Sequence, residues 1–209
     1  MPQYKLYYFE ITGRAECARM MFNYANVPFE DIRIKFDEWK TLKPTMPYGV
    51  VPVLEVDGKR LSQTNAINRY LAKQFGLTGK NDWESAQCDE IGDFVTELFF
   101  ILQKVLMPAE GDAEKKKKAK EMLDNDYIKP LLEKMNRRLK ERGTGWLVSD
   151  QITWIDMEIC ERLDFCKDFC PGAVDKYPDL LTFAERVKNH PKLKQYIDNR
   201  PPPPAPPEK

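Results

Sequence analysis

One stretch of this 209-residue chain gathers groups suited to holding an anion: Tyr7-Tyr8-Phe9-Glu10-Ile11-Thr12-Gly13-Arg14-Ala15-Glu16. A phenol, a guanidinium and the amide end of a following helix all stabilise negative charge. No thiol precedes Cys17, which falls inside the expected helix, so disulfide exchange at this turn is disfavoured. The usual catalytic sets are missing elsewhere. His190 is the only histidine, in Asn189-His190-Pro191, and it supports no triad, zincin or multi-histidine metal site. Neither G-x-G-x-x-G nor G-x-x-x-x-G-K-[ST] occurs, which argues against a dinucleotide or P-loop site. Cys166 and Cys170 lie four apart on one expected helix; a two-thiolate metal site stays open, but small buried hydrophobes are the favoured reading. The run Lys115-Lys116-Lys117-Lys118-Ala119-Lys120 reads as a solvated face, with anionic-surface binding as the lesser alternative.

Composition narrows the class. Thirty-three basic and thirty-three acidic side chains balance, unlike a dedicated nucleic-acid binder. At 42% hydrophobic and 32% charged, the chain can form a packed core, and its length suits two small domains. No apolar run approaches the ~20 residues of a membrane span. Met1-Pro2-Gln3-Tyr4-Lys5 leads into strand-like sequence rather than a signal peptide. Five cysteines, odd in number and without a C-x-x-C pair, point to a reducing, cytoplasmic setting. Residues 1–80 hold twelve basic and eight acidic side chains, a net of +4, which suits a small anionic ligand; chance unevenness explains it equally well.

The elements that must position these groups come in two kinds. Tyr4 to Phe9 reads as a strand, Arg14 to Ala25 as a helix, and Glu30 to Phe36 as a second strand. The run from Gly49 to Val56 reads as a third strand, Asp57-Gly58 as a hairpin turn before Lys59-Arg60-Leu61, and Gln63 to Phe75 as a helix. This order predicts an α/β thioredoxin-like domain over 1–79, a four-stranded mixed sheet with helices on both faces. After a linker at Gly76 to Asn81, an all-α domain is expected over 82–200. Its first helix starts at Asp82 and is closed by Pro108 and Gly111; its second, Glu114 to Arg142, is expected to kink or break at Pro130. Two or three shorter helices follow over 153–199. Thr153-Trp154-Ile155-Asp156 has the form of a capping box, with Ile152 and Met157 as its hydrophobic staple. The tail 201–209 holds six of the sixteen prolines and is expected to be extended and solvated; a role as ligand for a proline-recognition module is the minor alternative.

These residues resemble the cytosolic glutathione transferases of the sigma class, relatives of the S-crystallins. The resemblance rests on Tyr4-Lys5-Leu6-x-Tyr8-Phe9 and Gly13-Arg14-Ala15-Glu16, on Trp39, on the block from Lys43 to Val56, and on Ser62-Gln63-Thr64-x-Ala66-Ile67-x-Arg69-Tyr70-Leu71. The capping box matches the same superfamily, and the resemblance runs up to Arg200-Pro201. It implies glutathione as co-substrate, no metal, small apolar electrophiles as partners and a homodimer. Tyr8 is implied as the catalytic tyrosine, donating to the glutathione sulfur and favouring the thiolate. A free thiol with pKa ~8.5 is only a few per cent ionised at neutral pH; lowering it by ~2 units, worth ~2.7 kcal/mol, makes thiolate the majority form. Arg14 would reinforce the anionic field, and Tyr7 points to the opposite face of the strand. Trp39 and Lys43 match positions that hold the glycine carboxylate. Val51, before Pro52 and a cis peptide in the family, offers its backbone to the cysteinyl part. Gln63 and Thr64, at a helix N-terminus, suit the γ-glutamyl carboxylate. Glu97 matches an acidic position used across the dimer; the alternative is a solvated stripe with Glu90 and Asp93.

Three positions depart from the family pattern. Val50 replaces a Lys or Gln that often reaches the ligand, Thr64 replaces Ser, and Glu97 replaces the shorter Asp. For the second substrate, Phe9, Ile11 and Gly13 are expected to face Phe99, Phe100 or Gln103 across an apolar cleft. Three activities follow from the resemblance: conjugation of apolar electrophiles, isomerisation of a prostaglandin endoperoxide to the D form with glutathione returned, and a non-catalytic S-crystallin-like or ligand-carrier role. Eight Met, more Lys than Arg and no obvious insertion count against the lens type.

Overall fold

A computed structural model describes residues 2–106 and 113–201, and their side chains except at 98–106, 113, 116 and 169. The tail 202–209 and the expected helix stop at Pro108 and Gly111 lie outside the described residues. The chain divides into two compact units, Met1–Leu77 with His190–Lys209, and Thr78–Asn189. Residues 190–201 thus group with the sheet rather than with the helices that precede them.

In the first unit four strands, β1 (Tyr4–Phe9), β2 (Glu30–Ile34), β3 (Val53–Val56) and β4 (Lys59–Ser62), form one sheet in the order β2-β1-β3-β4. β1 and β2 are parallel and the other pairings antiparallel, giving the expected mixed sheet. Burial alternates along β1, with Tyr4, Leu6 and Tyr8 buried and the residues between them half-buried. Helices α1 (Glu16–Ala25) and α3 (Thr64–Phe75) pack against each other. Tyr4 sets its edge against Phe22 of α1 at 5.2 Å and Phe75 of α3 at 6.3 Å, so the buried side of β1 faces this pair. α1 ends on Asn26 in the left-handed region, and α3 ends on left-handed Gly76, whose neighbour Leu77 donates to the Ala72 carbonyl at 2.8 Å. Asp57 (φ 49°) and Gly58 (φ 80°) both have positive φ, as a two-residue hairpin requires. Asp57 also ties this turn to the chain start, accepting from the Gln3 amide at 2.8 Å.

Several boundaries differ from expectation for identifiable reasons. α1 begins at Glu16, because Gly13–Ala15 form a separate tight turn. β2 stops at Ile34, the last partner of β1, and Phe36 leaves the strand to stack on Phe9 at 4.7 Å. β3 begins only at Val53, since Pro52 has no N–H for the ladder. A short helix α2 (Trp39–Leu42) and two tight turns occupy 39–49, which the sequence patterns did not mark.

The second unit is helical: α4 (Asp82–Leu106), α5 (Ala113–Leu123), α6 (Lys129–Arg142), α7 (Trp154–Phe169) and α8 (Pro178–Lys188); α9 (Lys194–Asp198) belongs to the first unit. The expected interruption before Pro130 is a π-helical segment, Asp124–Ile128, with the Lys129 amide reaching the Asp124 carbonyl. Proline removes one donor and crowds the carbonyl four residues back, and the wider turn accommodates both. The capping box forms at the start of α7. The Asp156 carboxyl accepts from the amides of Thr153 (2.7 Å) and Leu147 (2.9 Å) and from the Thr153 hydroxyl (2.8 Å). Burial pushes that carboxyl up to about 6 although these three donors favour its charged form. Gly92 of α4 lies against Trp154: a Cβ there would sit 2.3 Å from the indole.

Candidate active site

The sheet register brings the chemistry to one edge. Tyr7 pairs with Val53, and Val53 with Ser62. The next position outward on each chain is Tyr8, Pro52 and Gln63, so three expected site residues share one row at the C-terminal end of β1. Tyr8 pairs with Arg33 on its other side.

The two adjacent tyrosines have different surroundings. Tyr7 donates to Glu55 Oε2 at 3.3 Å and carries the Arg60 guanidinium 5.2 Å over its ring. Arg60, which also donates to Glu55 at 2.8 Å, holds that carboxyl below the usual carboxylate range. The Tyr8 oxygen instead accepts from the Arg14 backbone amide at 3.1 Å. No acceptor among the described residues takes the Tyr8 proton, so the hydroxyl remains able to donate. A phenol that accepts one hydrogen bond is a stronger donor in the next.

Gly13 makes this contact possible. Its φ is +48°, and an added Cβ would lie 2.7 Å from the Tyr8 hydroxyl oxygen. The sequence pattern assigned Gly13 only to the wall of a cleft, but it packs directly on the Tyr8 phenol. Arg14 is half-buried in the turn that precedes α1.

Around this edge, Trp39 at the start of α2 meets Phe9 edge-on at 5.4 Å, and Phe9 also touches Tyr8 at 5.6 Å. Lys43 is exposed, with its side chain over Gly49. Val51 and Pro52 are buried and joined by a cis peptide bond. Val50 is exposed, as is Gln63. Gln63 caps α3 with backbone alone, at φ 78° and ψ 123°, without a side-chain cap bond. The Ile67 amide reaches the Gln63 carbonyl, and Thr64 opens the helix half-buried. The positive end of the macrodipole at such a terminus suits a carboxylate.

Ile11 is half-buried, and its carbonyl is taken by Arg19 at 2.8 Å. Glu97 is exposed on α4, in the other unit. The side chains of Phe99, Phe100 and Gln103 lie outside the described residues. Sequence patterns missed the buried pair Glu16 and Arg19 behind the turn and their half-buried partner Asp31. The available signal was an acid and a base three apart inside a helix whose first seven residues are all buried.

Comparison with known proteins agrees with this architecture. Residues 4–73 match the glutathione S-transferase N-terminal domain and residues 101–200 the C-terminal domain. Glutathione S-transferase 1 of Ascaris suum is 41% identical over 205 residues, covering 96% of this chain and 98% of that protein. Among solved structures, prostaglandin synthase D of Nilaparvata lugens is 38% identical with a TM-score of 0.85, covering 96% of this chain and 100% of that one. A Nu-class transferase from Haemonchus contortus is 35% identical with a TM-score of 0.78, covering 97% and 98%. A thioredoxin-like sheet domain followed by helices, matched over nearly its whole length by these enzymes, places the chain in the glutathione S-transferase family.

Proposed function

We propose that this enzyme conjugates glutathione to small apolar electrophiles, with Tyr8 as the group that holds the glutathione sulfur as thiolate. The observation that carries this reading is the Arg14 amide on the Tyr8 oxygen, which leaves the phenolic hydrogen to point at a ligand. The protein supplies thiolate stabilisation and proximity; the thiolate carbon–sulfur bond forms as the electrophile's leaving group departs or its double bond takes up the electron pair. Arg14 adds positive field beside the sulfur. Trp39 and exposed Lys43 receive the glycine carboxylate, the Val51 main chain before Pro52 pairs with the cysteinyl unit, and Gln63 with Thr64 present the α3 amides to the γ-glutamyl carboxylate. Glu97 reaches the ligand's amino group from a second copy in a homodimer. Phe9, Ile11 and Gly13 line the place of the electrophile on this unit. The setting is cytoplasmic and the role detoxification; among the described residues no helix is long and apolar enough to cross a membrane. The sigma class is supported by the N-terminal motifs.

A prostaglandin D isomerase is the second reading, favoured by the 38% identity to prostaglandin synthase D of Nilaparvata lugens. It uses the same thiolate, returned unchanged. Conjugation of chlorodinitrobenzene tests the main reading. Brisk turnover that falls ~100-fold in Tyr8→Phe supports it, and glutathione binding without turnover points to a carrier instead.

A further inference from the structure

Behind the Tyr8 turn lies a line of alternating charges: Arg200, Glu16, Arg19, Asp31 and Arg33. Arg19 is wholly buried and Glu16 is 1% exposed. Arg19 meets Glu16 at 3.1 Å and Asp31 at 3.1 Å; Arg33 meets Asp31 at 2.8 Å and Arg200 meets Glu16 at 3.3 Å. The Tyr196 hydroxyl donates to the same Glu16 at 2.6 Å. Burial, and then Glu16, hold the Tyr196 phenol far above its ordinary pKa, so it stays protonated and keeps donating.

The same guanidinium reaches the catalytic turn. It donates to the carbonyls of Phe9 (3.3 Å), Ile11 (2.8 Å) and Thr12 (3.3 Å). These are the carbonyls between Tyr8 and the Arg14 amide that Tyr8 accepts. The guanidinium also lies 5.9 Å from the Tyr8 ring centre. A buried ion pair of this kind is a costly way to gain stability, and its use is to fix one geometry.

We propose that Tyr196 and Arg200 are positioning residues for the Tyr8 site, acting through Glu16 and Arg19 on the turn that presents the Arg14 amide. The C-terminal segment is then part of the thiolate machinery although it touches no substrate. This rests on the reading of Tyr8 as the thiolate's donor. Tyr196→Phe removes one hydrogen bond and keeps the ring, and Arg200→Gln removes one charge at the same Glu16 oxygen, Oε1.

The test is the pH dependence of kcat/KM for glutathione with chlorodinitrobenzene, in the full chain. Tyr196→Phe is expected to keep KM for glutathione within about twofold, lose about threefold in kcat/KM on the acid side and move the profile alkaline by about half a unit. Arg200→Gln is expected to move it the same way by less, and it decides alone if Tyr196→Phe does not fold. Wild-type profiles with only a lowered Tm overturn the proposal. Tyr8→Phe separates the two levels. If it keeps full activity, the thiolate reading falls and the proposal with it; if it is inactive beside unshifted profiles in the other two variants, only the proposal falls.

Discussion

The Arg14 amide donates to the Tyr8 phenolic oxygen at 3.1 Å, with Gly13 folded at positive φ against the same hydroxyl. Three neighbouring residues thus fix one oxygen: one supplies the phenol, one a backbone donor, and one the space for both. Gly13→Ala tests this directly. The new methyl meets the hydroxyl at 2.7 Å on a backbone that alanine resists. The expected outcome is a fall in kcat/KM of ~10-fold or more, with about 1–3 kcal/mol lost in denaturant unfolding. Activity within twofold of wild type would show that the tyrosine tolerates displacement.

Gln63 holds φ 78° and ψ 123° without a side-chain cap bond. Strain of this kind costs on the order of 1–3 kcal/mol and persists where function needs it. Gln63→Gly relieves it. The expected result is a more stable protein, by roughly 1 kcal/mol, that binds glutathione more weakly. Thermal unfolding and a glutathione titration measure the two effects; tighter binding would remove Gln63 from the γ-glutamyl site.

Burial pushes the thiols of Cys88 and Cys166 up to about 12. Because the thiolate is the reactive form, both stay inert near pH 8, and their reactivity rises only as the pH approaches that value. Alkylation of the native protein followed by peptide mapping is expected to spare both and to label them after unfolding. Rapid native labelling of either would contradict their burial.

The Asp156 carboxyl serves three donors inside the second unit. Asp156→Ala leaves the Thr153 and Leu147 amides without this acceptor, at a cost of roughly 2–4 kcal/mol. Denaturant unfolding measures it, and a loss below half a kcal/mol would reduce the box to a surface feature.

The degree to which the fold is legible in the sequence follows the range of the interactions. β1, the Asp57-Gly58 turn and the capping box rest on alternation and turn chemistry within a few residues, and they match expectation. β3 is shorter than its β-branched run because Pro52 cannot donate. α2 escapes notice because prolines and charges break any period between 37 and 48. The phenol, the glycine and the arginine of the turn are visible as residue types, but the bond between Tyr8 and the Arg14 amide is not. The Glu16 network is least legible of all, since Tyr196 lies 180 residues from its partner.

The most direct measurement is the ultraviolet absorbance of the thiolate of glutathione bound to the enzyme, followed against pH. The account predicts a midpoint about two units below the ~8.5 of a free thiol, returning to the free value in Tyr8→Phe. A bound thiol that titrates at its free value in the wild-type enzyme, or a midpoint left unmoved by Tyr8→Phe, would contradict it.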